Sequence, residues 1–218
     1  MKSCAISLAG EQLVLLPQKA IYWPRKKTLV VADVHFGKAA SFRRLGVPVP
    51  SGTTTQNLTA LDELIGLFGA QRIVFLGDFL HAPKTASSSL AAMREWRLRH
   101  SGLDLTLVRG NHDLHAGDPP AEMEMQIADE PQVDEPFAFC HHPDVDNDRY
   151  VLAGHVHPAY LLARRNESYR LPCFVIGQRR AILPSFGAFT GAFTIAQQVD
   201  ETIFVIADDT VIAIPTLR

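Results

Sequence analysis

Apolar residues recur along this chain in two rhythms. In short runs they are nearly continuous and rich in β-branched or aromatic types: Thr28–Ala32, Arg72–Leu76, Leu103–Val108, Phe137–Cys140 and Tyr150–Ala153. Runs of that length and composition read as strands. In two longer stretches the spacing is three to four residues. Leu58, Leu61, Leu64, Ile65 and Phe68 predict a helix over 54–69, with Ser51 or Thr53 as its cap. Leu90, Met93 and Trp96 predict a second helix over 86–100, where Arg97 can lay its aliphatic stem along the apolar border. The first half therefore alternates strand, helix, strand, helix, strand, the order of parallel βαβ units. Upstream, residues 4–23 alternate enough for one or two strands turning at Gly10-Glu11, and Trp23–Lys27 is a polar connector.

After Phe137 the pattern changes to short strands, at 150–153, 171–176, 180–184, 192–196, 202–207 and 210–214, with a tight turn at Asp208-Asp209. Glu122–Ala128 reads as a short helix. Phe36–Leu45 reads as a loop or short helix, ended by Pro48 and Pro50. No repeat, low-complexity tract or change of composition marks a boundary, so residues 1–218 are expected to form one domain. The expected architecture is α/β: two facing mixed sheets flanked by helices.

Each of the five apolar runs leads into residues that carry chemistry: Asp33-Val34-His35, Gly77-Asp78, Gly110-Asn111-His112-Asp113, His141-His142-Pro143 and Gly154-His155-Val156-His157. A single Gly-Asp or Gly-Asn pair is ordinarily a turn. Five patches that all come after apolar strands and all carry oxygen or imidazole ligands suggest one shared sheet edge, where open α/β sheets bind ligands. Asp33 and His35, two apart at a strand end, share a face. Gly77 lets the backbone turn sharply and come close to a site. The two oxygens of Asp78 can bridge two cations. Asn111 offers a neutral amide oxygen, and His141, His155 and His157 offer nitrogens, with His142 as the fallback for His141. The set points to a two-metal hydrolase, and its imidazole-rich character suits Mn²⁺, Fe or Zn²⁺ better than Mg²⁺.

Bulk properties narrow the setting. A net charge of −2 argues against a generally basic, nucleic-acid-coating surface but leaves room for a local cationic groove. Cys4, Cys140 and Cys173 are odd in number and unpaired in pattern, as in a reducing compartment; Cys140 beside His141 is a conceivable soft ligand, but burial is the default for such a residue. The N-terminal apolar stretch is too short for a signal peptide and is broken by Glu11, and no uncharged apolar run approaches the ~20 residues of a membrane span. A cytoplasmic protein without membrane attachment is expected.

The ordered series Asp33-x-His35, Gly77-Asp78, Gly110-Asn111-His112-Asp113, His141 and Gly154-His155-x-His157 resembles the calcineurin-like metallophosphoesterase superfamily. That resemblance implies a four-layer αββα sandwich. It also implies one metal on Asp33, His35, Asp78 and His157 and another on Asp78, Asn111, His141 and His155, with Asp78 bridging. Three further segments, Asp33-Val-His-Phe-Gly-Lys-Ala-Ala-x-Phe-Arg-Arg, Gly-Asp-Phe-Leu-His81 and Leu183-Pro-Ser-Phe-Gly-Ala-Phe-Thr-Gly191, are similar to bacterial DNA ligase-associated metallophosphoesterases. The similarity implies a DNA-repair setting with a ligase, a helicase and an exonuclease as partners.

On this reading the substrate is a phosphodiester, nucleic acid included. Two divalent cations, less two carboxylates and a bridging hydroxide, leave one positive charge, which matches a phosphodiester monoanion better than a monoester dianion. His112, beside Asn111, is placed to protonate the leaving oxygen. His81 stands where superfamily phosphatases often carry an Asp, resembles the superfamily's double-strand-break repair nucleases there, and either contacts the phosphate, steadies His112 or merely packs beneath. Lys38, Arg43 and Arg44 can contact flanking phosphates or form a solvated face. The competing expectations are a phosphomonoesterase or pyrophosphohydrolase on small metabolites, and a non-catalytic accessory of a ligase or helicase complex.

Overall fold

The computed structural model describes residues 2–145, 148–164 and 167–215. Its first sheet comprises β1 (Cys4–Leu8), β2 (Glu11–Leu16), β3 (Ala20–Trp23), β4 (Thr28–Ala32), β5 (Arg72–Leu76), β6 (Asp104–Val108) and β7 (Gln126–Ala128), in that spatial order. β1 to β4 pair antiparallel and β4 to β7 pair parallel. The parallel crossovers carry α1 (Lys38–Arg44), α2 (Thr53–Phe68), α3 (Ser87–Arg99) and α4 (Asn111–Ala116).

The second sheet comprises β8 (Gln132–Asp134), β9 (Phe137–Phe139), β10 (Tyr150–Ala153), β11 (Pro158–Arg164), β12 (Glu167–Ile176), β13 (Arg180–Ile182), β14 (Phe193–Ile195), β15 (Thr202–Ala207) and β16 (Thr210–Ala213). Their order is β14-β11-β12-β13-β10-β9-β8, with β15 beside β12 and β16 beside β15.

Strand periodicity divides the core in two. Leu29, Val31, Ile73, Phe75, Leu105 and Leu107 face Leu58, Leu61 and Leu64 of α2 and Met93 and Trp96 of α3. Val30, Ala32, Val74, Leu76 and Val108 face Phe137, Phe139, Leu152, Phe174 and Phe204 of the second sheet. Because β4, β5 and β6 are covered on both faces, their sequences read as nearly continuous apolar runs, broken in β6 by Asp104 and Thr106. Each fully buried side chain of this size contributes about 1.5–3 kcal/mol. The two mixed sheets of the expected fold are present, with uneven helical cover. All four α-helices among the described residues precede Gly117, and the second sheet's outer clusters around Cys173 and Cys140 are built from strand and loop residues of the second half.

Register brings the ligand-bearing loops to one level. Ala32 pairs with Leu76 and Leu76 with Val108, so the chain leaves all three strands together. In the second sheet Phe139 pairs with Leu152 and Ala153 with Ile182, and an isolated bridge joins Ala32 to Ser185. Both sheets thus end their parallel strands against one another, at the kind of edge where ligands collect.

Several local expectations are corrected. Residues 4–23 form three strands, not one or two. The α2 N-cap is Gly52, at φ 83° and without a side-chain cap bond, in place of Ser51 or Thr53. The helix expected at 122–128 is a 3-10 turn, Ala121–Met123, followed by β7. Pairing of β7 with β6 overrides a weak local preference. No described helix is long and apolar enough to cross a membrane.

The cysteines supply a direct check on this packing. Cys140 and Cys173 are buried and Cys4 is partly exposed. Burial, helped by Glu130, pushes the Cys140 thiol up to about 12, and burial alone does the same to Cys173. Native labelling with a chromogenic disulfide at pH 8 should therefore modify Cys4 quickly and the other two only on unfolding. Rapid labelling of all three would contradict the packing.

Candidate metal centre

The loops after β4 and β5 are zipped to each other before they present side chains. The Asp33 N–H donates to the Gly77 carbonyl at 3.3 Å, His35 N–H to Asp78 O at 2.9 Å, Phe36 N–H to Phe79 O at 2.8 Å and His81 N–H to Phe36 O at 3.1 Å. Asp113 then ties this pair to the loop after β6. Its carboxylate accepts N–H bonds from Asp78 (2.7 Å), Phe79 (2.9 Å) and Gly110 (2.8 Å). Asp113 is thus a turn-fixing residue.

Four glycines around the site are required by closeness: a Cβ at Gly77 would overlap His141 Nδ1, and one at Gly187 would overlap Thr190 Oγ1. A Cβ at Gly110 would lie 2.5 Å from Asp78 Oδ1, and one at Gly154 would lie 2.6 Å from Asp33 Oδ2. Five of the expected ligands hold the backbone in the left-handed region: Asp33 (φ 55°), His35 (45°), Asp78 (53°), His155 (68°) and His157 (51°). Non-glycine residues there cost of order 1–3 kcal/mol each and collect where a site over-determines the backbone.

Side chains from all five patches converge. Ligand atoms of Asp33, His35, Asp78 and His157 lie within 4.8 Å of one another. Asp33 Oδ1 is 3.3 Å from His157 Nε2, and Asp78 Oδ2 is 3.6 Å from His35 Nε2. On the other side of Asp78, Oδ1 is 3.6 Å from His141 Nε2, which is 2.9 Å from Asn111 Oδ1 and 3.0 Å from His155 Nδ1. Asp78 therefore faces both groups, one oxygen to each. His142, the fallback for His141, is engaged through Nδ1 with Glu130 at 2.6 Å, although its ring lies 4.5 Å from that of His155.

The donor set fits cations on chemical grounds. Asp33 and His141 are fully buried, and Asp78 and His35 nearly so. Asp33 Oδ1, both ring nitrogens of His35 and His157 Nε2 are buried without a hydrogen-bond partner. Such atoms are costly to bury unless something charged or polar satisfies them, and Asp33 Oδ1, His157 Nε2 and one nitrogen of His35, gathered with Asp78, suit a metal ion. Burial, then the Lys38 ammonium and neighbouring imidazoles, holds His35 down at about 2, and burial followed by His141 and His142 lowers His155. Imidazoles held neutral are competent ligands.

The two expected catalytic histidines sit at the rim. The ring of His112 is 5.0 Å from that of His35, and His81 stacks on His112 at 5.7 Å and 24°. Burial, with Lys38 and His112 nearby, lowers His81 to about 4, and its Nδ1 is buried without a partner. Of the expected phosphate contacts, half-buried Lys38 interacts electrostatically with Asp78 and Asp33. Exposed Arg43 donates to Pro50 O, and exposed Arg44 to Lys84 O and Ser41 Oγ.

Sequence reasoning passed over three supports. Asn57 of α2 donates to Val34 O and accepts from Ala188 N–H, and Ser185 Oγ donates to Asp33 O. Asn57 carried a usable signal, a polar residue beside the apolar stripe of its helix. Glu130 carried none. It accepts from both backbone N–H groups of the His141-His142 turn, at 2.7 and 2.9 Å, and from the His142 ring. Burial pushes its carboxyl upward, but those three bonds prevail and the net shift is downward. Glu130→Ala should loosen the turn and weaken metal affinity by about 10–100-fold. Calorimetric metal titration checks this, and unchanged affinity would remove the role.

A two-sheet sandwich with carboxylates, an amide and imidazoles gathered at its parallel-strand ends defines a metal-dependent hydrolase of phosphoesters. The calcineurin-like phosphoesterase family matches residues 26–155, more than half of the 218 residues, and the chain belongs to that family. The solved structure of a Pseudomonas putida nuclease, MPE, is similar at a TM-score of 0.86 and 42% identity, covering 97% of this chain and 100% of that one. A protein of unknown function from Aquifex aeolicus is more distant, with a TM-score of 0.43 and 19% identity over 64% of this chain and 81% of that one. Comparison with curated proteins gave no match.

Proposed function

We propose that this chain is a two-metal phosphodiesterase, acting on nucleotide or nucleic-acid phosphodiesters with Mn²⁺. The observation that carries the reading is the position of Asp78 between two ligand groups, one carboxylate oxygen turned to each. Asp33, His35, Asp78 and His157 would hold one ion, and Asp78, Asn111, His141 and His155 the other. Bound there, such ions supply Lewis-acid polarisation of a phosphoryl oxygen and a water acidic enough to serve as nucleophile near neutral pH.

The remaining work falls to side chains at the rim. His112 donates a proton to the departing oxygen, so that it leaves as an alcohol. His81 backs His112 across the stacked rings. Lys38 steadies a non-bridging phosphate oxygen, while Arg43 and Arg44 brace α1 against its neighbouring loops. Similarity to the Pseudomonas nuclease supports a nucleic-acid substrate. A DNA-repair setting, cytoplasmic location, partnership with a ligase, a helicase and an exonuclease, and organisation of 1–218 as one domain complete the proposal.

One observation favours a second reading. The Lys38 ammonium, close enough to feel both carboxylates, adds a positive charge that a phosphomonoester dianion can use. Parallel assays of bis(p-nitrophenyl) phosphate and p-nitrophenyl phosphate with Mn²⁺ separate the two. The diester should be the better substrate by at least about tenfold; turnover confined to the monoester would overturn the proposal.

A further inference from the structure

Ring contacts at the metal centre continue outward. His35 and His81 lie 5.7 Å apart between centroids, His81 and Phe42 6.0 Å, and Phe42 and Phe189 5.7 Å at 82°. Phe42 and Phe189 border a cleft of about 480 Å³, lined also by Lys38, Ala188, Thr190 and Gly191. Both phenyl groups are half-buried, so each keeps part of its surface toward solvent. The wall bearing Phe189 is fixed to the metal-bearing loop. Phe186 N–H donates to Ala32 O, Gly187 N–H to Asp33 O and Ala188 N–H to Asn57 Oδ1. Thr190 Oγ1 is buried without a hydrogen-bond partner.

Nothing in the metal chemistry calls for this cleft. It adjoins the metal centre through Lys38, which interacts with Asp33 and Asp78, and through Phe42, whose ring neighbours His81, so it lies where a group next to a phosphate on the metals could reach. We propose that the cleft is a nucleobase subsite, which takes the base of a nucleotide adjoining the scissile phosphate by stacking on Phe189, with the near-perpendicular Phe42 as the adjoining wall. The proposal rests on the phosphodiesterase reading and adds to it the class of group recognised. Aromatic walls without amide or carboxylate side chains to read base edges fit stacking that tolerates any base. Lys38 would lie over the phosphate between base and metals.

Four dithymidine phosphates test this, carrying both bases, the 5′ base only, the 3′ base only or neither, with bis(p-nitrophenyl) phosphate assayed alongside in Mn²⁺. In the wild type, removal of one particular base should lower kcat/KM about tenfold, mainly through KM, as expected for a lost stacking contact. In Phe189→Ala the intact dinucleotide should fall to the level of that abasic one, while Phe189→Tyr keeps the preference. Base removal that changes wild-type kcat/KM by less than about twofold, or a Phe189→Ala loss equal on all four dinucleotides, would overturn the subsite. Hydrolysis of the aryl diester without any dinucleotide cleavage would also overturn it and leave the phosphodiesterase reading standing. A wild type inert on the aryl diester as well would remove that reading and the subsite with it.

Discussion

Asp78→Ala should cost more activity than any other single substitution, lowering kcat/KM by well over the ~10–100-fold that loss of an outer-sphere partner entails. Asp78 is nearly fully buried, and its two oxygens face His35 and His141, on opposite sides of the proposed pair of ions. Removing it takes one anionic ligand from both sites. Its backbone N–H stays held by Asp113, so the loop itself should persist. Stability gives a second reading of the same event. A ligand that binds only the folded chain stabilises it by about 2.7 kcal/mol at a hundredfold excess over Kd. For a chain of this length that corresponds to roughly 5–10 °C in Tm. Chelation should lower the wild-type Tm by that order and leave Asp78→Ala almost unmoved. Equal chelator sensitivity in both would mean that Asp78 holds no metal.

His112→Ala is expected to separate chemistry from binding. Turnover should fall by ~10²–10⁴-fold while metal content stays at the wild-type level. The histidine is anchored through its backbone, its N–H donating to Asp78 Oδ1 at 3.0 Å, and the ring stands beside the site at 5.0 Å from His35. A general acid matters most when the leaving group is a poor one. The loss should therefore be large for a nucleoside leaving group and small for p-nitrophenolate, which departs without a proton. Equal losses on both would assign His112 to structure, and unchanged turnover would remove it from the mechanism.

The ligand series was legible because of how β4, β5 and β6 are buried. With both faces covered, each reads as an apolar run that stops abruptly at Asp33, Gly77 or Arg109, and the parallel register then sets those stops level. What eluded sequence reading depends on contacts distant in the chain. Asn111–Ala116 has too few apolar positions to announce a helix, and α4 instead leans on Asp113, whose carboxylate gathers three N–H groups from two loops. The hairpin of β11 and β12 leaves Leu161, Leu162 and Tyr169 exposed, so its apolar residues do not mark a core face. The adjacent histidines at 141 and 142 are told apart only in space: one ring is fully buried among the ligands, and the other is held by Glu130. Glu130 reaches that turn from eleven residues away and has no local signature.

The most direct measurement is the stoichiometry of Mn²⁺ binding to metal-free protein, followed by calorimetry or electron paramagnetic resonance. The wild type should take up two ions per chain. His35→Ala should keep only the ion held by Asn111, His141 and His155, and His141→Ala only the ion held by Asp33 and His157. A wild type that saturates with a single ion, or variants that both retain two, would contradict a paired-metal centre built around Asp78.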